Sequence, residues 1–232
     1  MSVSLIAVTR PEITINGKPI GAGNSAPMMT IDEFVAYVAR VSNPSNQTKG
    51  LSPQKLLEYL AKHRHWSPFE MVNLVMEVET TRDIARQILR HRSFAFQEFS
   101  QRYADPTQDL GFVTREARLQ DTKNRQNSII TDDTILKSAW TDWQQDVASL
   151  AKESYNWALK NGIAKEQARV VLPEGLTVSR MYMNGTLRSW IHYCRLRMGV
   201  ETQKEHREIA TDAWYHIMNE FPSLKDALNI GE

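Results

Sequence analysis

Apolar side chains recur along this chain in two rhythms, every second residue in some stretches and every third or fourth in others, and the switches between them mark the elements. Near the start, SLIAVTRPEITINGKPI alternates as a strand or hairpin does, with Asn16-Gly17 as its turn, although Pro11 and Pro19 interrupt it. At Thr30 the rhythm becomes helical. Thr30 and Glu33 form a capping box, and Phe34, Val35, Val38 and Val41 predict a helix to about Ser42. Ser52-Pro53 reads as an N-cap followed by proline at the first helical position, with Leu56, Leu57 and Leu60 as the stripe of a second helix to about His63.

MVNLVMEVET then alternates. Val72, Leu74, Met76 and Val78 take one side and Asn73, Glu77 and Glu79 the other, a half-buried strand. TTRDIARQILRHR switches back to helical spacing, with Ile84, Ala85, Ile88 and Leu89 as its apolar edge and Thr80 or Thr81 as its cap. Residues 104–133 are polar and weakly periodic and read as an inserted loop. Leu136, Trp140, Trp143, Val147, Leu150, Ser154 and Trp157 form the near-heptad seam of a long helix that Asn161-Gly162 ends. That seam suits a subunit contact or a bundle core equally. A short helix through KEQARVVL stops before Pro173, and LTVSRMYM is a strand. Asn184-Gly185 turns the chain into a helix whose buried face is Leu187, Trp190, Ile191 and Cys194. The last helix, 202–221, turns Ile209, Ala213, Trp214 and Ile217 inward.

Composition narrows the function classes. With 232 residues, 41% of them hydrophobic, the chain can bury a core in one large domain or in one domain with a smaller lobe. Its one cysteine, Cys194, rules out an internal disulfide and a Cys-based zinc cluster and points to a reducing cytoplasm. MSVSLIAVTRPEI is not a signal peptide and no apolar run reaches about 18 residues, so neither secretion nor a membrane span is expected. A formal net charge of +1 gives no general attraction to nucleic acid, so an anion site must be local.

Cation is concentrated in RHRSFAFQEFSQRY, residues 90–103. Arginine outnumbers lysine by 17 to 11, and a guanidinium grips phosphate with two parallel bonds where lysine acts as a point charge. Gln87, Arg90 and His91 stand at i, i+3 and i+4, on one side of the predicted helix, and Phe94, Phe96 and Phe99 interrupt the charges. Arg188, His192 and Arg195 share a face of a later helix, with Arg197 just round it and Arg169 near another helix end. The plainer reading is a solvated ion-pair network worth about 0 to 1 kcal/mol per pair. Two arginine-rich faces invite a polyanion between them. The chain has no G-x-G-x-x-G, P-loop, H-E-x-x-H or C-x-x-C motif, and His63 and His65 lack a third metal ligand, so no metal is expected.

RHRSFAFQEFSQRY resembles the RHR…S-x-N-E-x-S-x-R-Y signature of the flavin-dependent thymidylate synthases. Arg90, His91, Arg92, Glu98, Ser100, Arg102 and Tyr103 match, and Ala95 and Gln97 depart from the pattern's serine and asparagine. ARVS, HWSPFE, ARQILRHR, ARVVLP and RSWIHYCRLR are similar to the family's other blocks, in its order. The resemblance implies an α+β fold, a small antiparallel sheet packed with several long helices, as one domain over 1–232. It implies reductive methylation of dUMP to dTMP, with carbon from methylenetetrahydrofolate and reducing equivalents from NADPH through FAD.

By the same resemblance, Gln87, Arg90, Glu98, Ser100, Gln101, Arg102, Arg169 and Arg197 bind dUMP. Arg102 and Arg169 take its phosphate, Glu98 and Ser100 orient it, and Arg197 lies against the uracil, with Arg197 and Ser100 counted as catalytic. Ser42, Ser67, Glu70, Arg90, His91, Arg92, Gln97, Glu98, Arg188, His192 and Leu196 bind FAD, and His65 and Tyr103 lie at the flavin and folate face. A guanidinium at a ring carbonyl stabilises an enolate-like state, a contribution of about 3 to 4 kcal/mol for such preorganised donors. Glu201 stands where relatives often have histidine. The resemblance further implies a homotetramer with shared sites, no nucleic-acid partner and no membrane. Two other readings of the residues are a single-stranded RNA platform of interleaved Arg and Phe, and a flavin and nucleotide sensor without turnover.

Overall fold

The computed structural model describes residues 1–15, 18–20, 29–47 and 52–228. Its strands are β1 (Ser2–Val8), β2 (Ile13–Ile15), β3 (Lys18–Ile20), β4 (Asn73–Thr81), β5 (Ala95–Glu98), β6 (Arg118–Gln120), β7 (Ser128–Ile130) and β8 (Val178–Thr186). Its helices are α1 (Ile31–Ala39), α2 (Pro44–Gln47), α3 (Gln54–Lys62), α4 (Arg82–Ile88), α5 (Pro106–Asp109), α6 (Thr134–Lys160), α7 (Lys165–Ala168), α8 (Leu187–Arg197), α9 (Lys204–Glu220) and α10 (Leu224–Leu228).

Alternation builds the central sheet, an antiparallel array in the order β1-β4-β8-β5. Leu74, Met76 and Val78 of β4 and Met181 and Met183 of β8 are all buried on one face. Opposite them Glu79 and Arg180 pair in register and form an ion pair at 2.8 Å on the wetter face. Ile84, Ala85 and Ile88 of α4, Trp190 and Ile191 of α8, and Ile209, Ala213 and Ile217 of α9 close the core over the apolar face. Fully burying each isoleucine among them contributes roughly 1.5 to 3 kcal/mol. The arrangement is the expected α+β one, and no helix among the described residues is long and apolar enough to cross a membrane.

Several boundaries differ from the sequence reading. The capping box of α1 forms, with Thr30 Oγ1 accepting from Glu33 N, but the helix stops at Ala39 rather than near Ser42. Arg40, Val41 and Asn43 each bond back three residues instead of four, which tightens and ends the last turn. Pro53, not Ser52, caps α3, because its carbonyl accepts from both Leu56 N and Leu57 N. Thr81 takes the cap position of α4, yet its hydroxyl donates to Asp83 instead of closing the first turn. β2 and β3 pair as a hairpin, and the Asn16-Gly17 turn lies outside the described residues.

Asn184-Gly185 is not a turn. Both residues continue β8, paired with Val75 and Leu74, and Thr186 caps α8 directly. Glycine stands at 185 because the Phe94 ring occupies the space that a Cβ would take. Residues 104–133 are not a bare loop either, since they hold α5 and the β6–β7 hairpin. α6 buries Gln144, Ala151, Tyr155 and Ala158, while its seam points away from the chain's own core, with Trp143 68% and Trp157 63% exposed. Gln144 goes inward because its amide meets both backbone groups of Arg115, at 2.8 and 2.9 Å. Among the described residues, therefore, no bundle core within the chain covers the seam.

Candidate active site

α8 organises most of the candidate residues. Its inner face holds Trp190, whose Nε1–H donates to Leu74 O at 3.2 Å, so Arg188, His192 and Arg195 are turned outward. They line a pocket of about 490 Å³ with Trp66, Glu70, Ser93 and Ser189. Glu70 pairs with Arg188, Arg195 lies 5.8 Å over the Trp66 ring, and Arg195 Nη2 donates to Leu228 O at 2.9 Å. Cations, hydroxyls and an aromatic face make a donor set that fits a dinucleotide's phosphates and rings.

One turn on, Arg197 Nε–H donates to His91 Nε2 at 2.9 Å. His91 packs edge-on against Tyr193, with ring centroids 4.9 Å apart. Burial, then the charges of Arg197 and His192, push the His91 pKa down to about 4, so the ring is neutral at physiological pH. Beneath it His206 is fully buried, with Nδ1 3.3 Å from Gln87 Oε1 and Nε2 3.1 Å from the Tyr193 hydroxyl. Burial, then Arg197 and His91, bring its pKa down to about 3. Cys194 is fully buried on the same helix, and burial pushes its thiol well above the ordinary range, so no thiolate is at hand.

A second group forms around α7. Arg102 pairs with the Glu166 carboxylate at 3.4 Å, and Arg169 Nε donates to the Glu166 carbonyl at 3.3 Å, so the two arginines assigned to phosphate share one neighbour. Lys165 Nζ donates to Tyr103 O at 2.9 Å beside them. Ser100 Oγ accepts from Arg102 N at 3.4 Å, and Glu98 accepts from Ser179 Oγ at 2.8 Å while pairing with Arg82. Gln101 is 5% exposed and its Nε2 finds no acceptor among the described residues.

Ser42, His65, Ser67, Arg90, Arg92, Gln97 and Leu196 are exposed. Arg90 and His91 do not continue a helical face from Gln87, because α4 ends at Ile88 and RHR runs through turns. Gln87 and His91 meet all the same, through His206. No side-chain hydrogen bond or ion pair among the described residues joins the Arg102–Arg169 group to the Arg197 group. Phe94 and Phe96 pack onto the core, which removes two of the three stacking faces that an RNA platform would use. His206, Tyr193 and Gln203 escaped the sequence reading. The signal for His206 was its place in line with Ile209, Ala210, Ala213 and Ile217, where a polar residue on an apolar stripe asks for a partner.

A family model described as "Thymidylate synthase complementing protein" matches residues 27–223. The flavin-dependent thymidylate synthase of Synechocystis is 46% identical over 98% of this chain and 99% of its own length. A probable flavin-dependent thymidylate synthase of Paramecium bursaria Chlorella virus 1 is 44% identical, over 99% of each chain. Among solved structures, the UMP/dUMP methylase PolB of Streptomyces cacaoi bound with 5-Br dUMP superposes with a TM-score of 0.74. It is 25% identical and the match covers 97% of this chain and 93% of that one.

Proposed function

Because the chain belongs to the flavin-dependent thymidylate synthase family, we infer that it methylates dUMP to dTMP with FAD as its cofactor. The observation that carries this reading in the geometry is the double use of α8. The helix turns Arg188, His192 and Arg195 into the pocket that fits a flavin dinucleotide, and it sets Arg197 on His91, whose ring packs near the His206 that contacts Gln87, so that Arg197 and Gln87 of the nucleotide set share one neighbourhood.

When bound, FAD supplies the reducing equivalents that turn the transferred carbon into a methyl group. Arg188, His192 and Arg195 hold its phosphates, and Trp66 offers a ring face. Arg102 and Arg169 hold the nucleotide phosphate, and the unpaired Gln101 Nε2 is a further donor for it. Arg197, a permanent cation resting on a neutral imidazole, stabilises the charge that grows on the uracil ring as C5 reacts. Cys194 takes no part, because its thiol is buried and protonated.

We further propose methylenetetrahydrofolate as carbon donor, NADPH as reductant and a cytoplasmic homotetramer. The separation of the Arg102–Arg169 group from the Arg197 group, and the bare seam of α6, support sites completed between subunits. The test is to load the full chain with FAD, desalt it, and supply dUMP, methylenetetrahydrofolate and NADPH. Retained flavin colour and dTMP are expected. A correctly folded protein that stays colourless, or that holds FAD and dUMP without making dTMP, would overturn the reading.

A further inference from the structure

The Gln87 amide sits in a chain of hydrogen bonds whose direction is set by one charge. Glu205 is buried on α9, where Arg118 of the β6–β7 hairpin pairs with it and Gln203 Nε2 donates to it at 3.0 Å. Burial raises its pKa, but the bonds from Arg118, its own backbone N–H and Gln203 outweigh that and hold it below the ordinary carboxylate range. An ionised carboxylate can only accept, so the Gln203 amide must face it with nitrogen. Gln203 Oε1 then points the other way and accepts from Gln87 Nε2 at 3.0 Å. Gln87 Oε1 is left facing His206 Nδ1 at 3.3 Å, which requires the His206 proton on Nδ1, and the bare Nε2 takes the Tyr193 hydroxyl at 3.1 Å.

We infer that His206, Gln203 and Glu205 are positioning residues that lock the Gln87 amide with its second Nε2 hydrogen free, so that Gln87 meets the nucleotide as a hydrogen-bond donor. The inference rests on the reading of Gln87 as a dUMP residue. A flipped Gln87 would set two acceptors against each other at Gln203, whose amide Glu205 fixes, so the locked amide selects a carbonyl, hydroxyl or phosphate oxygen at that point. Arg118 carries the same constraint into the hairpin that the sequence presents as a loop. None of these residues needs to touch dUMP for its loss to be felt in dUMP affinity.

His206 provides a test in which two amides separate positioning from packing. Asparagine places its amide near the position of Nδ1 and can still donate to Gln87, whereas glutamine reaches the position of Nε2 and Tyr193 instead. Calorimetric titration of dUMP into the FAD-loaded full chain is expected to show His206→Asn within about threefold of wild type and His206→Gln roughly tenfold weaker. KM for dUMP should follow the same order, with kcat and FAD retention little changed. Equal losses in both variants would reduce His206 to a packing residue. If neither variant folds, Gln203→Met removes the acceptor for Gln87 at a half-buried position. An unchanged dUMP affinity in that protein overturns the inference, and a loss of roughly tenfold upholds it. Gln87→Ala separates the two levels: wild-type affinity there would show that Gln87 does not meet dUMP, and both the site reading and the lock would fall.

Discussion

Arg197 Nε–H donates to His91 Nε2 across 2.9 Å, which anchors a permanent cation on a neutral acceptor. The arginines around it are differently placed: Arg102 answers Glu166 and Arg188 answers Glu70. A carboxylate partner cancels much of a guanidinium's field, whereas an imidazole fixes its plane and leaves the charge to act. Arg197→Lys keeps the charge and loses the planar Nε–H. Turnover of dUMP is expected to fall by about 100-fold or more, the scale of removing one preorganised donor, while FAD binding and melting temperature stay near wild type. Activity within tenfold of wild type would mean that charge alone suffices.

Acid should unfold this protein through its buried histidines. His206 in the folded chain stays neutral down to about pH 3, whereas an unfolded histidine takes its proton near its ordinary value of 6.5. Between those values the unfolded chain binds the extra proton, so stability is complete above the unfolded value and is lost as pH falls below it. The loss is at most about 1.4 kcal/mol per pH unit for the site. His91 has the same sign down to about 4, more weakly because it is half-buried. Melting temperature measured from about pH 8 down to about pH 5 should fall, and His206→Asn should flatten the curve. A wild-type curve that is already flat would count against a neutral, buried His206.

Local signals were legible in the sequence and tertiary ones were not. The Thr30 and Glu33 box closes within one turn and formed as read. The alternation of Val72 to Val78 is a property of the pleat and survived intact. Asn184-Gly185 misled because its glycine serves Phe94, a side chain far away in sequence, and not the backbone of a turn. The α6 seam was found by its spacing, but spacing cannot say what an apolar stripe faces. For the site, the long signature brought His91 and Arg102 into view, and the ARVVLP and RSWIHYCRLR blocks brought Arg169 and Arg197. Their neighbours His206, Glu205 and Arg118 are held by contacts between separate segments, which no spacing rule links.

Cys194 is predicted to be dispensable for chemistry. Its side chain is wholly buried in the core of α8, so Cys194→Ala leaves a small void and costs roughly 1 kcal/mol. Denaturant titration should show that loss, while dTMP formation per folded enzyme stays close to wild type. A variant that folds and holds FAD yet makes no dTMP would restore the thiol to the mechanism.

Gly185 should tolerate nothing larger. Its missing Cβ is filled by Phe94, which is itself wedged edge-on against Trp190 at 4.9 Å and Tyr193 at 5.9 Å and has little room to retreat. Gly185→Ala is expected to destabilise by about 1 to 3 kcal/mol, the cost of overpacking. Phe94→Leu in the same chain should recover part of that, because the two changes share one volume. Additive losses in the double variant would show that the ring is not what restricts position 185.

Oligomerisation makes the strongest demand on the proposed site. α6 leaves Trp140, Trp143, Val147, Leu150 and Trp157 between 45% and 68% exposed along one seam, too much aromatic surface for one helix to present to water. Trp143→Glu is expected to lower the sedimenting mass from that of the proposed tetramer and to abolish dTMP formation together with it. Two inactive variants then show whether the subunits share a site. Arg102→Ala and Arg197→Ala, co-expressed, give mixed oligomers. If Arg102 and Arg197 of one site come from different subunits, about a quarter of the sites combine two intact arginines and that fraction of the turnover returns. If both arginines of a site come from one chain, every site carries a lesion and none returns. Recovery would explain why a single chain leaves Arg102 and Arg169 on Glu166 and Arg197 on His91, with no side-chain bond among the described residues between the two groups.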